Sequence, residues 1–208
     1  MTDKIVTRAV AIQNLRQYIG QDLRKLAKEF GITTYETGKQ NKGWKGLVLE
    51  RLAGLTNNNS KAPNGLSFEL KSVSFHMVKE RLVPKETMAI TMINPKELLE
   101  HSFFQSHCWA KLKSLIICAV DWSGTNAEKA VLLEVSSIDY LEDADLIREV
   151  EADYELIRNK LIKHGFTALT GADGKWIQAR TKGAGHGSIS RAFYARTAFV
   201  AKIFQESK

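Results

Sequence analysis

Residues 41–54, NKGWKGLVLERLAG, and residues 63–71, PNGLSFELK, decide the fold of this chain. The first segment repeats apolar residues at helical spacing, and the second alternates apolar and polar residues as a half-buried strand does. The two segments therefore predict a helix packed on a sheet, followed by a strand. The apolar stripe of the helix consists of Trp44, Leu47, Val48, Leu52 and Leu55.

The polar face of the predicted strand carries candidate catalytic groups. Alternation directs Phe68 and Leu70 into the core and leaves Glu69 and Lys71 together on the other face. The Glu69 carboxylate and the Leu70 carbonyl are oxygen ligands that suit Mg²⁺, and the Lys71 ammonium can orient or deprotonate an attacking water. The alternative is a solvent-exposed ion pair, which has little energetic value.

Glu50 lies beyond the Leu47 edge of the helical stripe. Gly43, Gly46 and Gly54 fall on the same side of the helix, where glycine lowers helix stability. Such residues indicate that another group approaches the backbone there, and the Glu50 carboxylate points toward it. Glu50 is therefore a further candidate catalytic residue.

The pattern K-G-W-x-G-x-x-x-E from Lys42 to Glu50, followed by P-N ahead of E-L-K, resembles the PD-(D/E)xK nuclease superfamily. The likeness is to the branch that contains the mismatch-repair nicking endonuclease MutH and the GATC-cutting type II restriction endonucleases. This resemblance implies Mg²⁺-dependent cleavage of double-stranded DNA, with Glu50 at the edge of the metal site and Glu69 and Leu70 as metal ligands. Lys42 is a candidate phosphate contact, although a polar loop predicts the same residue type.

The chain departs from the branch at the position of a metal-binding aspartate, where it has Asn64. No Asp or Glu occurs between Arg51 and Phe68, so no nearby acid replaces it. An amide is a poorer Mg²⁺ ligand than a carboxylate. We therefore expect an inactivated form of a nuclease; the alternative is a natural departure from the pattern.

The resemblance assigns roles in two further regions. Lys111 and Lys113 precede a buried strand, and one of them is expected to bind the scissile phosphate; the alternative is a solubilising pair. Residues 174–183, GKWIQARTKG, resemble the recognition hairpin of the branch, and residues 190–204, SRAFYARTAFVAKIF, resemble its closing helix. The resemblance implies contacts with the recognised bases for Arg180, Lys182 and Tyr194; for Tyr194 the alternative is a core aromatic residue. Arg191 and Arg196 are further candidate DNA contacts because they lie, with Arg180 and Lys182, around the glycine-rich run at 183–187.

The remaining pattern predicts the other elements. A helix is expected over residues 9–30 with Gly31 as its end, and another over 141–164. Strands over 88–93, 114–120 and 130–135 are expected to join the Glu69 strand in one central sheet. A turn at 171–174 between 167–169 and 176–179 predicts a hairpin.

Composition limits the function classes. The 208 residues carry 30 Lys and Arg against 23 Asp and Glu, a net charge of +7 that favours a polyanionic partner. No apolar run reaches the ~20 residues of a membrane span, so we expect a soluble, cytoplasmic protein. Two cysteines are too few for a disulfide framework. The glycine-rich run at 183–187 lacks the context of a nucleotide-binding loop, and the histidines near Cys108 lack zinc-site spacing.

The sequence thus predicts an α/β protein with a restriction-endonuclease-like core, a central mixed sheet flanked by helices, and two lobes around a DNA cleft. One nuclease domain over residues 1–208 would comprise a catalytic lobe of about 1–140 and a recognition lobe of about 141–208. A type II restriction enzyme, monomeric or homodimeric and paired with a cognate methyltransferase, is the preferred function. The alternatives are a MutH-type nicking endonuclease and a DNA-binding protein without catalysis.

Overall fold

The computed structural model describes residues 6–36, 39–40, 43–55, 67–121, 130–139, 143–183 and 189–206. The chain forms two compact units. The first contains residues 1–86, 115–138 and 207–208, and the second contains residues 87–114 and 139–206. Residues 87–114 therefore belong to the second unit, although they precede the boundary near 140 that the sequence predicts.

The first unit is built on a four-stranded mixed sheet with strand order β4-β3-β6-β7. Strand β3 runs antiparallel to β4 and parallel to β6, with Glu69 opposite Leu115. The helices of this unit are α1 (Arg8–Arg16), α2 (Leu23–Glu29) and α3 (Trp44–Ala53), and its strands are β1 (Tyr35–Glu36), β2 (Lys39–Gln40), β3 (Glu69–Val78), β4 (Arg81–Pro84), β6 (Ser114–Asp121) and β7 (Leu132–Asp139).

One hydrophobic core joins α1, α2 and α3 to the sheet. Trp44 and Val48 of α3 are buried there with Phe68 and Leu70 of the β3 segment, as the alternation predicts. The single helix expected over 9–30 is wrong, because the chain breaks between α1 and α2, where Gly20 has φ of +85°. Periodicity misses this break because apolar residues on both sides keep helical spacing.

The second unit contains a three-stranded antiparallel sheet with strand order β5-β9-β8. The expected strand over 88–93 forms, as β5, but it pairs with β9 rather than with the central sheet. The elements of this unit are the strands β5 (Met88–Met92), β8 (Ile177–Thr181) and β9 (Arg191–Ala195) and the helices α4 (Pro95–Glu100), α5 (His107–Leu112), α6 (Ala144–His164) and α7 (Thr197–Glu206).

Two expectations for the C-terminal region are wrong. The hairpin around 171–174 does not form, since Phe166–Ala168 is a 3-10 turn and β8 pairs with β9 instead. Tyr194 lies on β9, not on the closing helix, which begins at Thr197. Both errors have one cause: the partner of β8 is β9, which follows β8 in the sequence, and not the segment that precedes the turn.

The predicted α/β class, with a mixed sheet and helices around it, is confirmed. Over the described ranges, no helix is both long enough and apolar enough to cross a membrane. Cys108 and Cys118 are buried and unpaired, and burial raises the pKa of each thiol, to about 12 for Cys118.

Candidate functional site

Glu69 and Lys71 form an ion pair on one face of β3. The Lys71 Nζ lies 2.7 Å from Glu69 Oε1. The Lys71 side chain is 20% exposed, and the Glu69 side chain is 2% exposed. A pair so far removed from water differs from the exposed pair that the sequence left as an alternative. The structure therefore brings together the carboxylate and the ammonium that the E-L-K motif contributes.

The parallel pairing of β3 with β6 explains why this carboxylate is buried. Residues 114–120 of β6 are all buried, as the continuous apolar sequence predicts for a strand covered on both faces. Glu69 lies opposite Leu115 and Lys71 opposite Ile117, so the charged pair sits at the start of the β3–β6 ladder between apolar neighbours. Leu70, between them, faces the hydrophobic core.

Of the other candidate catalytic and phosphate-binding residues of the first unit, the structure describes only Glu50. Glu50 is half-buried in the second turn of α3, a helix that packs on β3. Asn64 and Lys42 lie outside the described residues. Within the ranges that the structure describes, no three Asp, Glu, His or Cys side chains come together as a metal site.

Lys111 and Lys113 lie at the end of α5, in the second unit. Lys111 is half-buried in the last turn of the helix, whereas Lys113 is the exposed C-terminal cap residue. The helix begins after Ser106, whose hydroxyl accepts a hydrogen bond from the Trp109 amide at 3.2 Å. The Ser106 cap fixes the start of α5 and the buried strand β6 begins directly after Lys113, so these two elements determine the positions of both lysines.

Arg180 lies across one face of the three-stranded sheet. Its Nη1 donates a hydrogen bond to Thr87 Oγ1 at 2.8 Å, and its guanidinium carbon is 5.5 Å from the centre of the Tyr194 ring. Arg180 itself is exposed and Tyr194 is half-buried. Sequence reasoning gave Thr87 no role, and no local pattern could reveal it, because Thr87 and Arg180 are 93 residues apart.

The other predicted DNA contacts are engaged to different degrees. Lys182 is exposed, and its backbone amide donates to the Ser190 carbonyl at 3.0 Å. The Arg191 Nε donates to the Leu169 carbonyl at 2.9 Å. Arg196 donates to the carbonyls of Gly174 at 3.0 Å, Gly171 at 2.8 Å and Asp173 at 3.0 Å. Arg191 and Arg196 therefore hold the segment before β8 in place, and a DNA contact by either stays a prediction.

Asp153 of α6 fixes the same segment from its other side. This buried carboxylate accepts backbone N–H bonds from Lys175 at 2.7 Å, Trp176 at 2.6 Å and Ile177 at 2.9 Å. Gly174 has φ of +79°, and a Cβ there would lie 2.0 Å from the Ile177 carbonyl oxygen. The strand that carries Arg180, β8, therefore follows a turn that these hydrogen bonds hold in place.

The chain is similar to MutH proteins over nearly its whole length. The family model "DNA mismatch repair enzyme MutH" matches residues 54–148. The DNA mismatch repair protein MutH of Vibrio cholerae serotype O1 is 23% identical over 219 residues, which cover 96% of each chain. That of Escherichia coli O17:K52:H18 is 24% identical over 196 residues, covering 91% of this chain and 82% of the relative.

Among solved structures, a restriction endonuclease MvaI–cognate DNA substrate complex matches 95% of this chain and 96% of that one, with 11% identity and a TM-score of 0.37. The MutH matches confirm the resemblance to the MutH-containing branch that the sequence motifs indicate.

Proposed function

We propose that this chain, similar to MutH proteins over nearly its whole length, is a sequence-specific DNA endonuclease with its central catalytic pair on β3. The observation that carries the proposal is the buried Glu69–Lys71 ion pair at 2.7 Å, in a segment that the MutH family model covers. An isolated E-x-K motif is common on strand faces. A pair largely withdrawn from water, in a chain similar to MutH proteins, supports a role of E-L-K in phosphodiester hydrolysis over an exposed surface pair.

The donor groups fit a hard divalent cation in kind. The Glu69 carboxylate and the Leu70 carbonyl supply oxygen, which Mg²⁺ prefers, and residue 64 would supply a third oxygen. With Asn64 the set holds one carboxylate instead of two, so its attraction for a dication is weaker. When bound, such a cation neutralises charge that develops on the phosphate and acidifies an attacking water.

The protein side chains have separate roles in this proposal. Lys71 holds the attacking water by donating a hydrogen bond and stabilises negative charge at the phosphate. Glu69 keeps the Lys71 ammonium in place through the observed ion pair. Glu50 acts at the edge of the site, Lys111 or Lys113 binds the scissile phosphate, and Lys42 contacts the DNA backbone.

Recognition is proposed for the sheet of the second unit. Arg180, Lys182 and Tyr194 lie on neighbouring strands or directly after them, and Arg180 and Lys182 are exposed. An arginine fork on a rigid strand suits bidentate contact with a base edge. Arg191 and Arg196 support this surface by donating hydrogen bonds to backbone carbonyls, and a DNA contact by either stays a prediction.

A nicking enzyme of the MutH type is the second candidate. The curated relatives that cover nearly the whole chain are MutH proteins, which favours cleavage of one strand over the restriction-type cut of both. A third candidate, a binding protein without catalysis, is favoured by Asn64 alone.

Supercoiled plasmid distinguishes these candidates. We expect the Asn64→Asp variant to cleave plasmid at discrete sites in Mg²⁺ and the unsubstituted chain to leave it intact. Linear fragments identify a double-strand endonuclease, and open circles identify a nicking enzyme. An inert Asn64→Asp variant that still binds duplex DNA would leave the non-catalytic function as the correct one.

A further inference from the structure

A hydrogen bond to Thr87 holds the Arg180 side chain across the three-stranded sheet of the second unit. In the β8–β9 register Arg180 lies opposite Ala192, so its side chain shares a face with Tyr194. On the other side of β9, Tyr194 lies opposite Ala89 of β5, two residues after Thr87. The 2.8 Å hydrogen bond to Thr87 therefore stretches Arg180 from one edge strand to the beginning of the other.

The aliphatic part of Arg180 is confined as well. A Cβ at Gly171 would lie 3.3 Å from Arg180 Cγ and 3.2 Å from Gln178 Oε1, so a larger residue would press on this stem. The Tyr194 ring lies under the guanidinium, 5.5 Å from its carbon. An exposed arginine normally samples many rotamers, whereas the contacts at the stem, the face and one nitrogen of Arg180 all favour the extended orientation seen here.

We propose that Thr87 is a positioning residue for DNA recognition, whose hydroxyl orients the Arg180 guanidinium toward a base edge. The inference rests on the proposed function, since it requires that Arg180 reads DNA. Bidentate hydrogen bonding needs the plane of the guanidinium aligned with the base, so an orientation set before binding lowers the entropy lost on contact. The hydrogen bond to Thr87 uses one N–H of Nη1, and the fork keeps its other donors for a base.

Binding measurements test the inference without any cleavage. A randomised duplex DNA pool, selected on the unsubstituted chain, yields its preferred sequence. The ratio of the affinities for that duplex and for a scrambled duplex is then measured for the unsubstituted chain and for two variants. Thr87→Val keeps the shape of the threonine side chain, and Thr87→Ser keeps its hydroxyl. We expect Thr87→Val to lower the ratio about tenfold with unchanged affinity for the scrambled duplex. Thr87→Ser should stay within about twofold of the unsubstituted chain.

A double-mutant cycle separates positioning from a general effect on folding. In an Arg180→Ala background, Thr87→Val should lower the ratio no further, because the group that it positions is gone. The inference is overturned if Thr87→Val keeps the full ratio, or if it lowers the ratio equally with and without Arg180. If the unsubstituted chain shows no sequence preference, the proposed function itself fails and the inference fails with it.

Discussion

Lys71 and Glu69 stand two residues apart on one strand, with Nζ and Oε1 separated by 2.7 Å and the carboxylate withdrawn from solvent. Desolvation makes this attraction stronger than that of an exposed pair and makes each partner depend on the other. In the proposed site, a cation would meet a carboxylate that already has a positive neighbour. We therefore expect a carboxylate at position 64 to strengthen metal binding.

Metal affinity should rise when Asn64 becomes aspartate. The added carboxylate restores a second anionic ligand, and we expect Mg²⁺ to bind at least about tenfold more tightly to Asn64→Asp than to the unsubstituted chain. Isothermal titration calorimetry measures the change. Adding Glu69→Gln to Asn64→Asp should remove the gain, and equal affinities in all three proteins would contradict the ligand assignment.

Replacement of Lys71 should abolish turnover while DNA binding persists. In the Asn64→Asp background, Lys71→Ala removes the proposed water-orienting ammonium, and a loss of ~4 kcal/mol of transition-state stabilisation slows cleavage about a thousandfold. Single-turnover cleavage and gel-shift assays measure the two effects. Lys28→Ala, an exposed lysine of α2, is the matched control and should cleave at the parent rate. Undiminished cleavage by Lys71→Ala would show that another group activates the water.

The two exposed cations of the second sheet should differ in what they contribute. Arg180→Ala is expected to reduce sequence preference, whereas Lys182→Ala should also lower the dependence of affinity on salt by about one counterion if it contacts a phosphate. Competition gel shifts at several salt concentrations give both quantities. Binding that stays equal for all sequences, in the parent and in both variants, is the result that rules out this surface.

Asp153 should be essential to the stability of the second unit. Asp153→Ala removes the acceptor of three backbone N–H groups, one of them on buried Ile177, and should lower the free energy of unfolding by about 3 kcal/mol or more. Urea unfolding followed by tryptophan fluorescence measures the loss. Asn159→Ala, at an exposed position of the same helix, should change it little.

The Asp173–Lys160 pair predicts a dependence of stability on acid. Burial acts to raise the pKa of Asp173, but hydrogen bonds from Lys160 and Thr170 and the Lys160 charge lower it below its ordinary value of 3.8. A lowered folded-state pKa stabilises the protein above the ordinary value, and this contribution is lost as the pH falls through the lowered pKa.

The urea midpoint of Asp173→Asn should therefore lie below that of the parent near neutral pH. The two midpoints should converge in acid below the ordinary pKa of aspartate. A difference that stays constant at every pH would mean that the carboxylate charge is irrelevant to stability.

The parts that could be predicted from the sequence are those that depend on near neighbours. Glu69 and Lys71 share a face because a strand repeats every second residue, and the burial of β6 follows from its continuous apolar run. The roles of these residues stay predictions. Residues that touch only after folding, such as Thr87 and Arg180, share no local pattern and could not be predicted.

Tyr194 illustrates why the C-terminal assignment failed. The sequence around it, R-A-F-Y-A followed by apolar residues, fits a helix nearly as well as a strand. Its state is decided by β5 and β8, which supply the hydrogen bonds on either side of β9. Those strands are distant in the sequence, so the local pattern does not reveal them. The resemblance to the closing helix of the family therefore led to a helix being predicted at Tyr194.

The division of the chain between its two units has a consequence for biosynthesis. Strand β5 leaves the ribosome about 100 residues before β9, its partner in the ladder that joins Ala89 to Tyr194. At about 5–20 residues per second, this strand waits roughly 5 to 20 s for its hydrogen bonds. During that interval β5, whose Met88 and Ile90 are buried in the finished protein, lacks its neighbouring strand β9. The three-stranded sheet can therefore form only after β9 has been translated, and a ribosome stalled before β9 would expose an apolar strand to chaperones.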